Sequence, residues 1–300
     1  MVTRIGHVGL SVVNLARSIA HAERTLGLRL VDRDRNTAYL TCNERHHELV
    51  LVEGGVSACD HLAFEVADGA ALQAVLDRAR SEDLPVLSEE PQERGLEAAV
   101  RIVAPGGFVV EVFCGMAAAQ PAHYDTVGIR PRKFEHITIK STRKAELEGF
   151  LARVLGLRLS DRAGEAISWW RASAEHHGCS VIAADVDGLH HYAWQIDGWG
   201  SVARIGDQLM AHDRTFLWGP GHHGIGDNYF CYFLDADGIV VEYSADIKLI
   251  EDEARYEPRT WPDEPLSVNR WGNPPPPPAF LDAVTPLAAA VTNDAQAVAP

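Results

Sequence analysis

Apolar and polar residues alternate in the opening segment HVGLSVV, and this pattern predicts a strand with one buried face. The next segment, NLARSIAHAERTLGL, spaces its apolar residues as a helix does, with Asn14 as its N-cap and Gly27 as its stop. Three shorter runs, RLVDR, TAYLTC and HELVLVEG, predict strands separated by turn residues. The opening part of the chain therefore predicts a βαβββ unit.

The same order of elements returns along the rest of the chain. HLAFEVAD opens a second unit, with a helix predicted over residues 69–80 and strands up to VVEVF. The pentapeptide LGLRL occurs at Leu26–Leu30 and again at Leu155–Leu159, and its surroundings repeat with it. Such a duplication predicts an α+β fold of two tandem domains, each with two βαβββ units that form a curled, barrel-like mixed sheet.

The repeat sets the expected domain boundaries. We predict a first domain over residues 1–115, a linker over 116–130, a second domain over 131–248, an arm or lid over 249–285 and disorder over 286–300. The arm is rich in proline but holds several aromatic residues: Tyr256, Trp261, Trp271 and Phe280. Because disordered tails rarely carry so many aromatic residues, we expect the arm to pack on the second domain.

Composition narrows the class of protein. The chain has 300 residues, 46% of them apolar, and a formal net charge of −15 without any basic run. This charge argues against nucleic acid as a partner. No apolar stretch is long enough to span a membrane, and the first residues lack a secretory signal, so we expect a cytoplasmic protein. The five cysteines contain no CxxC pair, which favours reduced, mostly buried thiols.

Each domain places two histidines and one glutamate at nearly the same intervals. The sets are His7, His61 and Glu111 in the first domain and His136, His191 and Glu242 in the second. Two imidazoles and one carboxylate on one side of an ion leave its other side open, as non-haem Fe(II) requires. The alternative is that these are ordinary strand residues. A buried carboxylate, however, needs a cation or an arginine beside it.

The segment GPGHHGIGDNYFCYFLDADGIVVEY, at Gly219–Tyr243, resembles the signature of the type I extradiol ring-cleavage dioxygenases. Cys231 and Ala236 depart from that signature at positions without a functional role. The tail NRWGNPPPPP is similar to the carboxy-terminal arm of homoprotocatechuate and related catechol dioxygenases. The resemblance covers roughly residues 4–280 and implies the vicinal oxygen chelate fold, with a catalytic second domain and a vestigial first domain.

The resemblance also implies roles for single residues. It implies three metal ligands, His136, His191 and Glu242, and three catalytic residues, His177, His223 and Tyr232. His176 remains a rival to His177 as the acid–base residue. His190 precedes His191, and we expect only one side chain of each such pair to face the site, because neighbours on a strand point to opposite faces.

The implied reaction is extradiol cleavage of a catechol-type diol by O₂ at Fe(II), giving a muconic semialdehyde-type product. Mn(II) accepts the same ligand set, so the sequence leaves the metal open. Relatives of this kind imply a homo-oligomer whose partners are a small aromatic diol and O₂. A glyoxalase-type isomerase or a non-catalytic protein that binds a small aromatic ligand are the alternatives on the same fold.

The first copy differs around its histidines and glutamate. By counting, Arg101 and Gln92 stand where the second copy has Tyr232 and His223, and the histidine pair in NERHHE looks exposed. We therefore expect a structural first copy, although the sequence leaves open whether it binds a metal.

Three residues are predicted to contact the substrate: Trp170, Arg270 and Trp271. Together with Trp169, the two tryptophans would suit an apolar or bicyclic ring. Arg270 would meet a carboxylate. Packing in the core or in the lid is the alternative for each tryptophan.

Overall fold

The computed structural model describes residues 1–119, 129–262, 264–272 and 274–289. Eight strands of the described first domain form one mixed sheet: β1 (Val2–Val12), β2 (Arg29–Arg33), β3 (Thr37–Thr41), β4 (Leu49–Glu53), β5 (Ala58–Val66), β6 (Val86–Ser88), β7 (Leu96–Val103) and β8 (Val109–Met116). Their order is β2-β3-β4-β1-β5-β8-β7-β6. The two βαβββ units thus join through β1 and β5, which open them.

The described second domain forms a nine-stranded sheet with the same plan and one added strand. Its strands are β9 (Lys133–Ser141), β10 (Arg158–Ala163), β11 (Ile167–Arg171), β12 (Cys179–Ala183), β13 (Gly188–Gln195), β14 (Trp218–His222), β15 (Tyr229–Leu234), β16 (Val240–Ala245) and β17 (Arg259–Trp261). The order is β14-β15-β16-β13-β9-β12-β11-β10-β17. The predicted fold of two tandem domains, each with two βαβββ units, is confirmed.

The described residues form six α-helices. Over the described residues they are α1 (Leu15–Arg24), α2 (Gly69–Ser81), α3 (Lys144–Phe150), α4 (Trp199–Ala211), α5 (Pro265–Val268) and α6 (Pro278–Leu281). Asn14 caps α1 as predicted, because its side chain accepts a hydrogen bond from the Arg17 amide. A π-helical turn at Leu151–Leu155 continues α3 up to Gly156, whose φ of 76° ends the helix.

Strand register brings the candidate ligands of the second domain to one face. Ala193 on β13 pairs with His136 on β9 and with Glu242 on β16. Directly paired residues point to the same side of a sheet, and His191 lies two residues before Ala193 on that side. Tyr232 on β15 pairs in turn with Glu242. Four side chains from four strands therefore converge.

The arm packs on the second domain, as the aromatic residues predicted. Asp161 on β10 accepts hydrogen bonds from the Tyr256 hydroxyl at 3.1 Å, the Arg259 amide at 2.8 Å and the Trp261 indole at 2.9 Å. Strand β17 adds to the sheet edge beside β10, and Phe280 is buried. Hydrogen bonds to Asp161 thus hold the first part of the arm on the second domain, and the buried Phe280 side chain holds its last part.

The predicted disorder over residues 286–300 is wrong for its first part. The Cys59 amide donates to the Pro286 carbonyl at 2.8 Å, and the Ala288 amide donates to the Cys59 carbonyl at 2.8 Å. This main-chain pairing fixes residues 286–289 against β5. Residues 290–300, and residues 120–128 of the expected linker, lie outside the described residues.

The two domains are also joined by hydrogen bonds. The Tyr243 hydroxyl donates to the Leu26 carbonyl at 2.9 Å, and Arg78 Nε donates to the Val154 carbonyl at 2.8 Å. All five cysteines are buried and unpaired. Among the described residues, no helix is both long and apolar enough to cross a bilayer.

Candidate active site

Three buried side chains of the second domain meet at one point. His136 Nε2 lies 2.9 Å from Glu242 Oε2, and His191 Nε2 lies 3.2 Å from the same oxygen. One donor atom from each residue lies within 4.8 Å of the other two. The predicted ligand set is therefore brought together.

The surroundings suit these three side chains to a cation. His136 Nδ1 lies 3.1 Å from Glu135 Oε2. A carboxylate can only accept, so Nδ1 carries a hydrogen. Burial disfavours the charged ring, but Glu242 and Glu135 outweigh it and raise the pKa of His136 to about 9, so without an ion Nε2 also carries a hydrogen and donates it to Glu242. A bound metal would replace that hydrogen and take the lone pair of Nε2. His191 Nε2 is buried without a hydrogen-bond partner. This carboxylate–histidine arrangement is the usual support of a metal-ligating histidine, and the residues fit a divalent metal.

The charge on Glu242 is set by two opposing effects. Burial disfavours the carboxylate, but the neighbouring His136 and hydrogen bonds from the histidines outweigh it and lower the pKa of Glu242 well below its usual value. The Asn228 amide adds a hydrogen bond to Oε1 at 3.3 Å. Glu242 is therefore anionic at neutral pH and can supply the negative ligand.

His177, rather than its neighbour His176, lines the cavity beside the cluster. Its ring centroid is 4.5 Å from that of His136. His176 turns away, and its Nε2 lies 3.1 Å from Asp161 Oδ2. Burial lowers the pKa of His177 well below its usual value, so the neutral ring can accept a proton.

His223 and Tyr232 form a hydrogen-bonded pair at the cavity wall. His223 Nδ1 donates to the Val268 carbonyl at 2.6 Å, which leaves Nε2 to accept from the Tyr232 hydroxyl at 3.1 Å. Burial raises the pKa of Tyr232 well above its ordinary value, so its hydroxyl keeps its proton. His223 Nε2 also lies 3.7 Å from Glu242 Oε1. The Tyr232 hydrogen is thus held at the cavity wall, close to the cluster.

The expectation that His190 and His191 face opposite ways is wrong. A register shift between Leu189 and His191 breaks the alternation, and both rings line the cavity. The two Nδ1 atoms lie 2.6 Å apart, and His190 Nε2 lies 2.9 Å from the Phe280 carbonyl oxygen. His190 therefore supports His191 and does not join the cluster.

The three predicted substrate contacts also need correction. None of Trp170, Arg270 and Trp271 is among the described residues that line the cavity. Trp169 lines it, and alternation along β11 turns Trp170 into the core, where its indole donates to Ser168. On the outer side of the arm, Arg270 pairs with Asp227 at 2.7 Å and Trp271 remains 46% exposed.

The cavity above the cluster has a volume of about 190 Å³. Much of its wall is apolar, formed by Ile167, Trp169, Ile182, Trp218, Ile225, Val268, Pro276, Phe280 and Leu281. Several of these residues belong to the arm, which therefore closes one side of the cavity. Water-excluding walls strengthen the electrostatic interactions inside such a site.

Sequence reasoning missed Glu135, Asn228 and the carbonyl of Phe280. Glu135 had a readable signal, since an acidic residue precedes the ligand in FEHI. Asn228 and Phe280 had none, because their roles depend on a loop and an arm whose paths follow from packing.

The first copy matches its prediction only in part. Arg101 pairs with Glu111 as Tyr232 pairs with Glu242. Glu93, not Gln92, enters the cluster of the first domain, because the side chain of Gln92 bonds to Ser88. The histidine pair is not exposed either, since His47 is buried completely.

Residues 4–112 and 133–243 match the family model described as the Glyoxalase/Bleomycin resistance protein/Dioxygenase superfamily. A manganese-dependent 2,3-dihydroxybiphenyl 1,2-dioxygenase from Geobacillus genomosp. 3 is 25% identical over 289 residues, which cover 88% of this chain and 91% of that protein. The resemblance to extradiol dioxygenases read from the sequence is thereby confirmed.

Two solved structures share the fold. Homoprotocatechuate 2,3-dioxygenase from Arthrobacter globiformis superposes with a TM-score of 0.87 at 23% identity, over 96% of this chain and 92% of that one. The Mn(II)-bound glyoxalase from Novosphingobium aromaticivorans gives a TM-score of 0.85 at 24% identity, over 99% of this chain and 98% of that one.

Proposed function

Because this chain belongs to the Glyoxalase/Bleomycin resistance protein/Dioxygenase superfamily, we propose that it is an extradiol dioxygenase. It cleaves a small aromatic diol with O₂ next to the two hydroxyls and yields a muconic semialdehyde-type product. The observation that carries the proposal is the convergence of His136, His191 and Glu242 at the base of a cavity that also holds His177 and Tyr232. The manganese-dependent relative supports it.

His136, His191 and Glu242 would hold the metal. We assign Fe(II), the ion for which two histidines and one carboxylate with open positions are typical, while Mn(II) remains compatible with the relative. When bound, the metal would bring the diol and O₂ together and mediate electron transfer between them. The protein's share is to orient the ligands and to move protons.

Proton transfer belongs to His177 and to the His223–Tyr232 pair. The buried, neutral His177 accepts a proton as the diol binds and returns it when the ring opens. The Tyr232 hydroxyl, which donates to His223 Nε2 before substrate binds, turns its single hydrogen to a substrate oxygen and keeps the diol in register. A glyoxalase-type isomerase or a simple binding protein on this fold has no need for that pair.

The cavity favours an apolar diol over one that carries a carboxylate. Of the described residues lining it, Lys140 alone has a fixed positive charge, and its ammonium donates to the Leu281 carbonyl at 2.6 Å. Trp169, Trp218 and Phe280 offer aromatic surface instead. We therefore propose a bicyclic or aryl-substituted diol as substrate, and a cytoplasmic homo-oligomer as the working form.

The test is direct. The chain is purified without oxygen, loaded with Fe(II) or Mn(II), and mixed with a panel of mono- and bicyclic catechols before air is admitted. Oxygen uptake and a yellow ring-fission product are expected, with bicyclic diols preferred. His191→Ala should lose metal and product together. The control is His212→Ala, which alters an exposed histidine at the end of α4. A colourless mixture with every catechol and both metals would contradict the proposal.

A further inference from the structure

The first domain holds a second buried cluster of possible metal ligands: His7, His61, Glu93 and Glu111. His7 Nε2 lies 2.9 Å from Glu93 Oε2, 3.1 Å from His61 Nε2 and 3.5 Å from Glu111 Oε1. His61 Nε2 lies 3.0 Å from Glu93 Oε1. All four side chains are buried, so two imidazoles and two carboxylates meet at a place closed to solvent.

A hydrogen bond outside the cluster sets the orientation of His61. Its Nδ1 lies 2.8 Å from Asp60 Oδ2, and the carboxylate must accept, so Nδ1 carries the hydrogen. Nε2 faces Glu93 Oε1 at 3.0 Å, and two lone-pair atoms at that distance repel each other unless a proton or a metal ion lies between them. Asp60 supports His61 as carboxylates support metal-ligating histidines elsewhere.

The carboxylates around the cluster outnumber its one arginine, so their charge is balanced by protonated histidines or by a bound cation. Glu93, Glu111 and Asp60 bring three negative charges, and Arg101 brings one positive charge through contacts of 2.8 Å to Glu111 Oε2 and 3.1 Å to Glu93 Oε1. The other Glu111 oxygen is buried and has no hydrogen-bond partner. Leaving such a carboxylate oxygen unpaired is costly, and one divalent ion would both neutralise the remainder and occupy that oxygen.

We propose that the first domain binds a second divalent ion, zinc, through His7, His61, Glu93 and Glu111. Zinc takes four nitrogen and oxygen ligands at about 2.0–2.1 Å in a tetrahedron, which places neighbouring donors roughly 3.3 Å apart. The separations of 2.9–3.5 Å from His7 Nε2 to its three neighbours surround that value, and all four ligand atoms lie within 4.8 Å of one another. The spacing therefore suits a small ion bound by four ligands.

Glu93 supplies a fourth protein ligand to this site, whereas the candidate site of the second domain has three. It takes the place corresponding to His223, and its Oε2 lies 3.1 Å from Nε2 of His47, the counterpart of His177. The position left free for substrate in the second domain is thus filled by a fourth protein ligand. A closed four-ligand site is typical of structural zinc, so the ion stabilises the first domain and takes no part in turnover.

Zinc stoichiometry of the full chain tests the proposal. The protein is stripped with a chelator, reloaded with Zn(II), and analysed by elemental analysis and calorimetric titration. The wild type should bind two equivalents. Glu242→Ala should keep the first-domain ion, and Glu93→Gln should lose it while the second site still fills. Asp60→Asn, which leaves all four ligands in place, should weaken that one binding step by roughly 10–100-fold.

Zinc-edge anomalous diffraction of the loaded crystal then locates the ions. A peak among His7, His61, Glu93 and Glu111 is expected. A peak only in the second domain, or a Glu93→Gln protein that binds zinc as the wild type does, would overturn the proposal and leave a proton as the balancing charge. If the second-domain site binds no zinc, the wild type should bind a single equivalent of zinc. Loss of that equivalent in Glu93→Gln and its retention in Glu242→Ala would still support the first-domain site. The zinc proposal and the proposed function can therefore fail independently of each other.

Discussion

His190 Nε2 lies 2.9 Å from the carbonyl oxygen of Phe280, so a main-chain atom of the arm orients a histidine that in turn supports a candidate metal ligand. The carbonyl accepts, which leaves His190 Nδ1 to accept from His191 Nδ1 and turns the lone pair of His191 Nε2 toward Glu242. The arm and the metal site are therefore linked through two imidazoles.

That relay predicts the effect of replacing His190. His190→Leu should weaken metal binding by roughly 10–100-fold, since His191 loses the acceptor that fixes its ring. His190→Asn offers an amide oxygen at a similar place and should restore part of the affinity. Metal titration of the two variants measures the difference. Equal affinities for Leu, Asn and wild type would show that His191 needs no such support.

Replacing His177 should separate chemistry from metal binding. His177→Gln removes the proton carrier and should lower kcat by about 10²–10⁴-fold. Metal content should stay at the wild-type level, because His177 is not one of the clustered ligands. Steady-state kinetics and elemental analysis on the same preparation check both statements. Loss of metal in parallel with activity would move His177 into the ligand set.

Trp169 and Trp271 should differ in their effect on substrate binding. Trp169→Ala removes an aromatic wall of the cavity and should raise KM for a bicyclic diol by about 10–100-fold, as expected for lost burial of a large apolar side chain. Trp271→Ala alters a tryptophan on the outer side of the arm and should change KM by less than about twofold. The reverse pattern would place the substrate on the other side of the arm.

His21 on α1 predicts a pH dependence of stability. Burial, followed by the nearby Arg214, lowers the pKa of His21 from 6.5 to about 4. As the pH falls, His21 of the unfolded chain is protonated near pH 6.5, before His21 of the folded protein. The contribution of the neutral His21 to the free energy of unfolding is therefore complete above pH 6.5 and is lost as the pH falls toward 4. Between about pH 7.5 and about pH 5 this one group should remove about 2 kcal/mol.

Urea unfolding at those two pH values measures the loss. His21→Gln, which does not titrate in this range, should lose about 2 kcal/mol less than the wild type over the same interval. An equal loss in both proteins would mean that other groups account for the pH dependence.

The fold was readable from the sequence because the patterns that predict it are periodic. Alternation, helical spacing and a duplicated pattern predict the four βαβββ units, and the cap at Asn14 follows from local chemistry alone. The candidate ligands followed as well, since His136, His191 and Glu242 occupy equivalent places in repeated strands. These features can be read within a single strand or helix, or from the comparison of one repeat with the other.

The remainder depends on irregular structure. The bulge before His191 brings His190 into the cavity against the alternation rule, and counting residues through a loop selected Gln92 where Glu93 enters the cluster. Arg270 and Trp271 were misplaced because the path of the arm is set by its contacts with Asp161 and not by its own pattern. The spacing of residues along the chain does not reveal a bulge in a strand or the path of a loop or arm.

The hydrogen bond from Tyr243 to the Leu26 carbonyl ties the two domains together next to the candidate metal site. Tyr243 stands next to Glu242 on β16. The strand that carries the anionic ligand therefore makes a buried hydrogen bond to the first domain. Removing the first domain would take away the acceptor of this hydroxyl and would uncover apolar residues of the core cluster that the two domains share. The second half of the duplication therefore depends on the first for the packing of its ligand-bearing strand.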